Sequence, residues 1–235
     1  AASEVYKRQP PLTAKEKALI RDQLPFYKTQ DDGLSKKFEK RVVRFRSRKK
    51  ILFHEDVKEV EKIKLLLSAT GAMLTLGMVD FLILSIHKII VYPSQYYSPI
   101  TKQEHYGEYN PGFKTAIFSE EQLLKGFRIP NDNINLAVHE FAHALSFNVA
   151  NKLNIRSFLF LYGTKKMSQL LKNSEFNEKW KKTGYFRDYG RTNVHEFFAV
   201  AVESYVETPK DFESHFPKLF RIVKFMLNLG FYRLP

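Results

Sequence analysis

Cysteine is absent from all 235 residues. That single absence excludes disulfide frameworks, thiolate metal sites and cysteine nucleophiles together. Acidic residues are also scarce: 25 Asp and Glu stand against 38 Lys and Arg, a net charge of +13. The imbalance is steepest early, where residues 1–60 hold 16 basic against 9 acidic side chains. Its densest run is Lys36–Lys50, "KKFEKRVVRFRSRKK". Such a run can form a patch for nucleic acid or anionic lipid. Yet Leu34, Phe38, Val42 and Phe45 recur at helical spacing, which predicts an amphipathic helix with its basic side in water. No nucleic-acid motif accompanies the charge, and aromatics on a buried face make no stacking platform, so nucleic acid is not an expected partner. Internal repeats, low-complexity tracts and a signal-peptide pattern are missing as well. Hydrophobic residues make up 44%, enough for a substantial core, and this excludes global disorder. The expected location is the cytoplasm. Because the chain opens on Ala1, membrane association through a segment upstream is the alternative.

Thr13 and Glu16 fit a capping box for a helix running to about Gln23. A second helix is predicted over residues 35–48. Leu65–Ile86, "LLLSATGAMLTLGMVDFLILSI", is nearly apolar over the length of a membrane span. It also holds Asp80, two glycines and several hydroxyls, and one mid-membrane Asp costs roughly 2.5–3.5 kcal/mol. The alternative is a buried core helix that breaks near Gly77 or Asp80. Lys88–Tyr92 and Lys114–Phe118 read as strands, and residues 93–113 between them as a loop or irregular hairpin. Ser119 caps a short helix ending at Gly126, and Asp132 or Asn133 caps the next one. Further helices are predicted over about 155–182, from Asn193 to Pro209, and over about 210–229, with a loop at 185–192.

His139-Glu140-Phe141-Ala142-His143 is the HExxH pattern. On a helix, residues four apart share a face, so both imidazoles reach one ion, while Glu140 lies close enough to take a proton from water without coordinating. The pattern arises by chance in roughly one chain in a hundred of this length. The alternative is two surface histidines on an ordinary amphipathic helix. A hydrolytic zinc site wants three protein ligands and an open position. The extended pattern HExxHxxGxxH is absent, since Ser146 and Val149 occupy the Gly and third His positions. His54, His87, His105 and His215 are isolated. The third ligand must come from a distant segment.

"TNVHEFFAVAVESY", Thr192–Tyr205, repeats His-Glu, but Ala199 stands where a second HExxH would need His. Glu196, Ala199, Val200 and Glu203 share a helix face, and His195 points about 100° away from Glu196. Two carboxylates on a face of Ala and Val require a cation or donors if they look inward. Glu196 as metal ligand and Glu203 as hydrogen-bond acceptor for a ligand histidine would meet that need. A solvated acidic face continued by Glu207 explains the periodicity equally well.

"HEFAHAL" followed some fifty residues later by "EFFAVAVESYVETP" resembles the zinc peptidases related to Mlc titration factor A. The resemblance extends through "LLLSATGAMLTLG", "KIIVYPSQYYSP" and "RIPNDNINLAVHEFAHAL", over roughly residues 10–225. The catalytic domain of anthrax lethal factor shows a weaker pairing of the same two motifs. The resemblance implies an α+β, predominantly helical, zincin-like metallopeptidase domain over residues 65–235, with residues 1–64 a helical N-terminal region packed on it. It implies Zn²⁺ bound by His139, His143 and Glu196, with Glu140 as general base. Tyr189, seven residues before Glu196, would stabilise the oxyanion. It also implies a peptide or protein substrate, aminopeptidase-like cleavage, and residues 65–86 as core rather than a membrane span. One relative binds a transcriptional repressor, so a regulatory protein partner is a further expectation, although no segment here carries that interaction. The rival reading is a regulatory protein-binding module that retains zinc with little catalysis, against which an intact Glu140 argues.

Overall fold

The computed structural model describes residues 9–150 and 155–229. Its architecture is α+β and predominantly helical. Helix α1 (Ala14–Gln23) begins with the predicted capping box: Thr13 Oγ1 accepts from Glu16 N at 3.2 Å, and Glu16 Oε2 accepts from Thr13 N at 2.7 Å. A 3₁₀ turn (Pro25–Thr29) leads to α2 (Asp32–Arg48), which buries Phe38, Val42 and Phe45. Strand β1 (Lys50–Phe53) follows. Nothing in its short sequence distinguishes it from a helix end, and the periodicity missed it.

β1 pairs in parallel with β2 (Lys88–Tyr92), which pairs in parallel with β6 (Thr115–Ser119). β5 (Gly107–Asn110) runs antiparallel to β6 and forms the outer strand, giving the order β1-β2-β6-β5. The predicted irregular hairpin is a small antiparallel pair, β3 (Tyr96–Ser98) and β4 (Gln103–His105). β1 therefore stands in the same sheet as β2, and the expected division near residue 64 falls inside α3 (Val60–Leu74).

The apolar segment is core, but it is not one helix. α3 ends at Leu74, with every residue from Leu65 to Leu74 buried, and residues 75–87 continue as turns. Among the described residues no helix is long and apolar enough to cross a membrane. The break falls just before Gly77, where a Cβ would lie 1.8 Å from Asn228 O. It leaves carbonyls without helical partners, and α2 provides them. Arg41 Nη1 donates to Thr75 O at 2.6 Å and to Leu76 O at 3.1 Å, and its Nη2 donates to Met78 O at 2.7 Å. Lys49 Nζ donates to Ile83 O at 2.8 Å and Ile86 O at 2.5 Å. Burial pulls the Lys49 ammonium down to about 8. The basic face of α2 is thus not wholly in water, which corrects the expectation from its periodicity. Arg41 and the C-cap residue Lys49 turn inward, where carbonyl oxygens of the neighbouring loop take charged donors.

The start of α3 is fixed from a distance. Glu59 makes no side-chain cap, and Glu120, at the first turn of α4 (Glu120–Arg128), accepts from Glu59 N at 2.7 Å and Lys58 N at 3.1 Å. A carboxylate there complements the partial positive charge of a helix N-terminus. The predicted helix over 155–182 is two helices, α6 (Ile155–Leu171) and α7 (Ser174–Thr183), because Asn173 caps the second through Phe176 N at 2.8 Å. The predicted last helix is also two, α9 (Pro209–His215) and α10 (Pro217–Leu227), since Pro217 lacks the N–H needed to continue the first. The helices that matter most here are α5 (Leu136–Ala150), before the first pair, and α8 (Val194–Glu207), between the two, and they pack against each other.

Replacing the guanidinium should unseat the 75–78 turn. Arg41→Met is expected to cost about 2–4 kcal/mol in urea denaturation with an unchanged m-value, because three carbonyl acceptors lose a charged donor. A loss below about 0.5 kcal/mol would show that water replaces the guanidinium without penalty.

Candidate metal centre

α5 carries His139, Glu140 and His143, and α8 carries Glu196 and Glu203. The cap of α5 is Asn135, not the expected Asp132 or Asn133. Asn135 Oδ1 accepts from Val138 N at 3.2 Å, and Asn135 O accepts from His139 N at 2.9 Å. Asp132 instead closes a tight turn onto Ile134 N at 3.0 Å, and Asn133 takes the left-handed conformation with φ 59°. Both are spent on shaping the turn before the helix starts. The cap of α8 is the expected Asn193, whose Oδ1 accepts from His195 N at 2.9 Å and Glu196 N at 3.0 Å.

Three side-chain atoms from these two helices converge. Nε2 of His139 and Nε2 of His143 are 3.1 Å apart. Glu196 Oε2 lies 3.2 Å from the first and 3.3 Å from the second. Neighbouring donors on a tetrahedral ion with bond lengths of roughly 2.0–2.1 Å are separated by about 3.3 Å. The triangle therefore has the edge lengths of one face of such a site, and the donor chemistry, two imidazoles and a carboxylate, suits a divalent first-row ion. His195 is not in this group. It is exposed and stacks on Phe147, with ring centroids 5.8 Å apart. His54 and His105 are occupied by Asp56 and Thr101, and His215 stacks on Tyr185.

Glu203 looks inward, and the solvated acidic face is excluded: the residue is 1% exposed. Its Oε2 accepts from His139 Nδ1 at 3.1 Å and from the Arg187 guanidinium, and its Oε1 accepts from Asn135 N at 2.8 Å. With Nδ1–H turned to Glu203, Nε2 of His139 faces the triangle. Burial alone would lower the His139 pKa, but the hydrogen bonds to Glu196 and Glu203 outweigh it and push the imidazole up to about 10. Glu196 is raised by burial and lowered further by His139 and His143, ending well below the usual carboxylate range. Both shifts have one meaning: the two carboxylates hold a positive charge at this spot.

Glu140 is buried beside the triangle without belonging to it. Burial pushes its carboxyl up, while His139 and His143 pull it back. Gly107 of β5 gives it room. A Cβ there would lie 3.2 Å from Glu140 Oε1 and 2.4 Å from Leu136 Cδ1. Tyr189 sits on the solvent side, 55% exposed, its ring 6.2 Å from that of His139. Burial of the phenol and the Glu196 carboxylate push it up to about 12, so it keeps its proton at neutral pH. The loop carrying Tyr189 and Arg187 is anchored by the buried Trp180, whose Nε1–H donates to Phe186 O at 3.0 Å. A cleft of about 270 Å³ opens here, and its lining includes Tyr106, Gly107, His139, Glu140, Arg187 and Tyr189.

Arg187 and Asn135 escaped the sequence reading. Arg187 is a single basic residue in a loop, with no periodicity to mark it. Asn135 had a detectable signal, an Asn three residues before Val138 at the start of an apolar helix, but Asp132 and Asn133 offered the same chemistry two and three positions earlier.

Residues 2–227 match the model of a family described as glucose-regulated metallo-peptidase M90. The chain is also similar to a protein of Synechocystis sp. (strain ATCC 27184 / PCC 6803 / Kazusa) described as uncharacterized protein slr2042. The two are 24% identical over 235 residues, covering 92% of this chain and 84% of that protein.

The converging triangle sets a ranked expectation for metal content of the purified protein. Glu196→Ala should lose the ion, and His195→Ala should keep it at wild-type stoichiometry. Glu203→Gln should bind about 10–100-fold more weakly, since it perturbs a ligand's partner rather than a ligand. Metal loss in His195→Ala with retention in Glu196→Ala would reverse the assignment.

Proposed function

The chain belongs to the glucose-regulated M90 metallopeptidase family, and from that premise we propose that it hydrolyses peptide bonds with zinc held by His139, His143 and Glu196. The observation that carries this reading is the triangle of donor atoms with edges of 3.1, 3.2 and 3.3 Å, lying beside a buried carboxylate that takes no part in it. An ion at these donors supplies a Lewis acid that makes water more acidic and polarises a carbonyl.

The protein's own groups do the rest. Glu140 accepts the proton of the attacking water and passes it to the leaving amine. Its burial suits both halves of that task, because a carboxyl pushed up from its ordinary value is a better acceptor and still a competent donor near neutral pH. Tyr189 donates its O–H to the oxygen that gains charge on the scissile carbonyl. Glu203 holds the Nδ1 proton of His139 and so fixes the ring's orientation. The outer strand β5 brings Tyr106 and Gly107 to the cleft, where an extended peptide can lie along the sheet edge. Cleavage from the amino terminus belongs to this reading through the family resemblance alone. Comparing a free peptide with its N-acetylated form tests it, and equal rates on both would rule out an aminopeptidase.

Glu140→Gln should retain the metal and lose about 10²–10⁴-fold in kcat, since proton transfer alone is removed. Hydrolysis at the wild-type rate, or activity that survives a chelator, would overturn the mechanism. For Tyr189→Phe we expect unchanged metal content and a kcat lower by about 100-fold. That is the lower end for a lost oxyanion donor, because the half-exposed phenol leaves water as a partial substitute. An unaltered kcat would remove Tyr189 from the reaction.

A further inference from the structure

The polypeptide carries a second surface feature that peptide hydrolysis leaves unused. Helix α6 reads "IRSFLFLYGTKKMSQLL" and α10 reads "PKLFRIVKFML", and neither contains an acidic residue. The two helices pack together. Along α6, Ile155, Phe158, Leu161 and Tyr162 recur at three- and four-residue spacing and all face water, Ile155 at 69% and Phe158 at 64% exposure. Phe225 of α10 adds a fifth large apolar side chain, 43% exposed. Lys165, Lys218, Arg221 and Lys224 are exposed on the same two helices, and Lys166 lies over the Tyr162 ring at 5.3 Å. A cleft of about 470 Å³ runs between them. Leu170 and Ile222 contribute apolar lining, and Lys166, Lys218 and Arg221 contribute charge.

A monomeric protein rarely leaves so many large apolar side chains together in water without a use for them. The kind of partner follows from the flanking charges. Lysine is depleted at protein–protein interfaces. At the surface of an anionic bilayer, by contrast, lysine stems lie along the apolar boundary while the ammonium groups reach headgroup phosphates. Phe and Leu on one side with Lys and Arg around them are the composition of a helix that lies in the interface plane. The aliphatic residues Ile155 and Leu161 offer nothing to a nucleobase, which selects aromatic platforms. Unlike Arg41 and Lys49 of α2, which are turned to backbone carbonyls, these cations are free to meet an external anion: among the described residues none of Lys165, Lys218, Arg221 or Lys224 forms an ion pair with a carboxylate.

We propose that the α6–α10 face docks on the surface of a bilayer containing anionic phospholipid. The apolar stripe enters the headgroup boundary and the five cations contact lipid phosphates. Nothing spans the membrane. The inference does not depend on the reading of the metal centre, since no residue is shared between the two.

The test is co-sedimentation of the full chain with vesicles of equimolar phosphatidylglycerol and phosphatidylcholine, against vesicles of phosphatidylcholine alone. Binding should be confined to the anionic vesicles and should fall steeply between ~50 mM and ~500 mM salt. Each Lys or Arg near such a surface multiplies affinity about fivefold. Lys218→Gln/Arg221→Gln should therefore weaken binding about thirtyfold. Phe158→Ser/Leu161→Ser should weaken it at least tenfold while leaving peptide hydrolysis unchanged. Lys36→Gln/Lys37→Gln, on exposed positions of α2, should bind like the wild type. Three results would overturn the proposal: equal binding to both vesicle types, binding lost only in the α2 variant, or equally tight binding to dispersed short-chain phosphatidylglycerol. The last would mark the cleft as a site for single amphiphiles. A stable dimer in sedimentation velocity, dissociated by Phe158→Ser/Leu161→Ser, would also overturn it and make the face a contact between copies.

Discussion

The donor triangle of His139, His143 and Glu196 depends on one buried carboxylate, Glu203. A charge removed from water is costly unless it is fully paired, and here it is paired on every side. It accepts from the His139 ring, from the Asn135 backbone at the start of α5 and from the Arg187 side chain in the loop before α8. Two of those donors belong to α5 and its cap and one to the loop, and with α8, which carries Glu203 itself, they make up the three segments that build the site. Satisfying one carboxylate therefore sets the depth at which α5 begins, the rotation of α8 and the position of the Arg187–Tyr189 loop. The donor triangle is a consequence of that arrangement. His139 can present Nε2 to Glu196 and His143 only because its other nitrogen is already committed.

The rest of the fold holds those segments still. α5 lies between the sheet and α8, with Phe141 in ring contact with Phe118 of β6 and Phe45 of α2. The N-terminal basic helix is thus part of the platform under the site. Its Arg41 and the Lys49 at its C-cap also donate to carbonyls of the irregular chain that follows α3. On the far side, a cluster including Phe176, Trp180, Phe186 and Phe197 fixes the loop that brings Arg187 and Tyr189 to the cleft. The aromatic-rich composition is used here as mechanical support for polar chemistry.

Charge is divided in the same way. The acidic residues are few, and several of the most deeply buried, Glu120, Glu140 and Glu203, are committed to helix capping or to the site. α6 and α10 are left without any, so their cations stand beside exposed apolar side chains. Part of the positive excess lies outside the early basic run, on these two helices, and a pairing of Lys and Arg with apolar exposure is what distinguishes this face from an ordinary solvated one.

The sequence by itself determined whatever depends on neighbours along the chain. HExxH places His139 and His143 on one helix face because four residues make about one turn. The capping box at Thr13, the Asn193 cap and the shared helix face of Glu196 and Glu203 are likewise properties of short segments, and so were legible, whereas the inward direction of that face was not. The resemblance added which of the two helices meets which. Only the tertiary structure decided the remainder. The 65–86 run pointed to a break near Gly77 or Asp80, but only the fold puts the helix end at Leu74 and brings Asn228, far away in sequence, against Gly77. β1 is four residues long, and it is a strand because β2 lies beside it. Arg187 carries no local mark at all, and its role exists only once Glu203 is buried within its reach. A periodicity reports which way a side chain points; what it meets there is set by segments that sequence spacing does not connect.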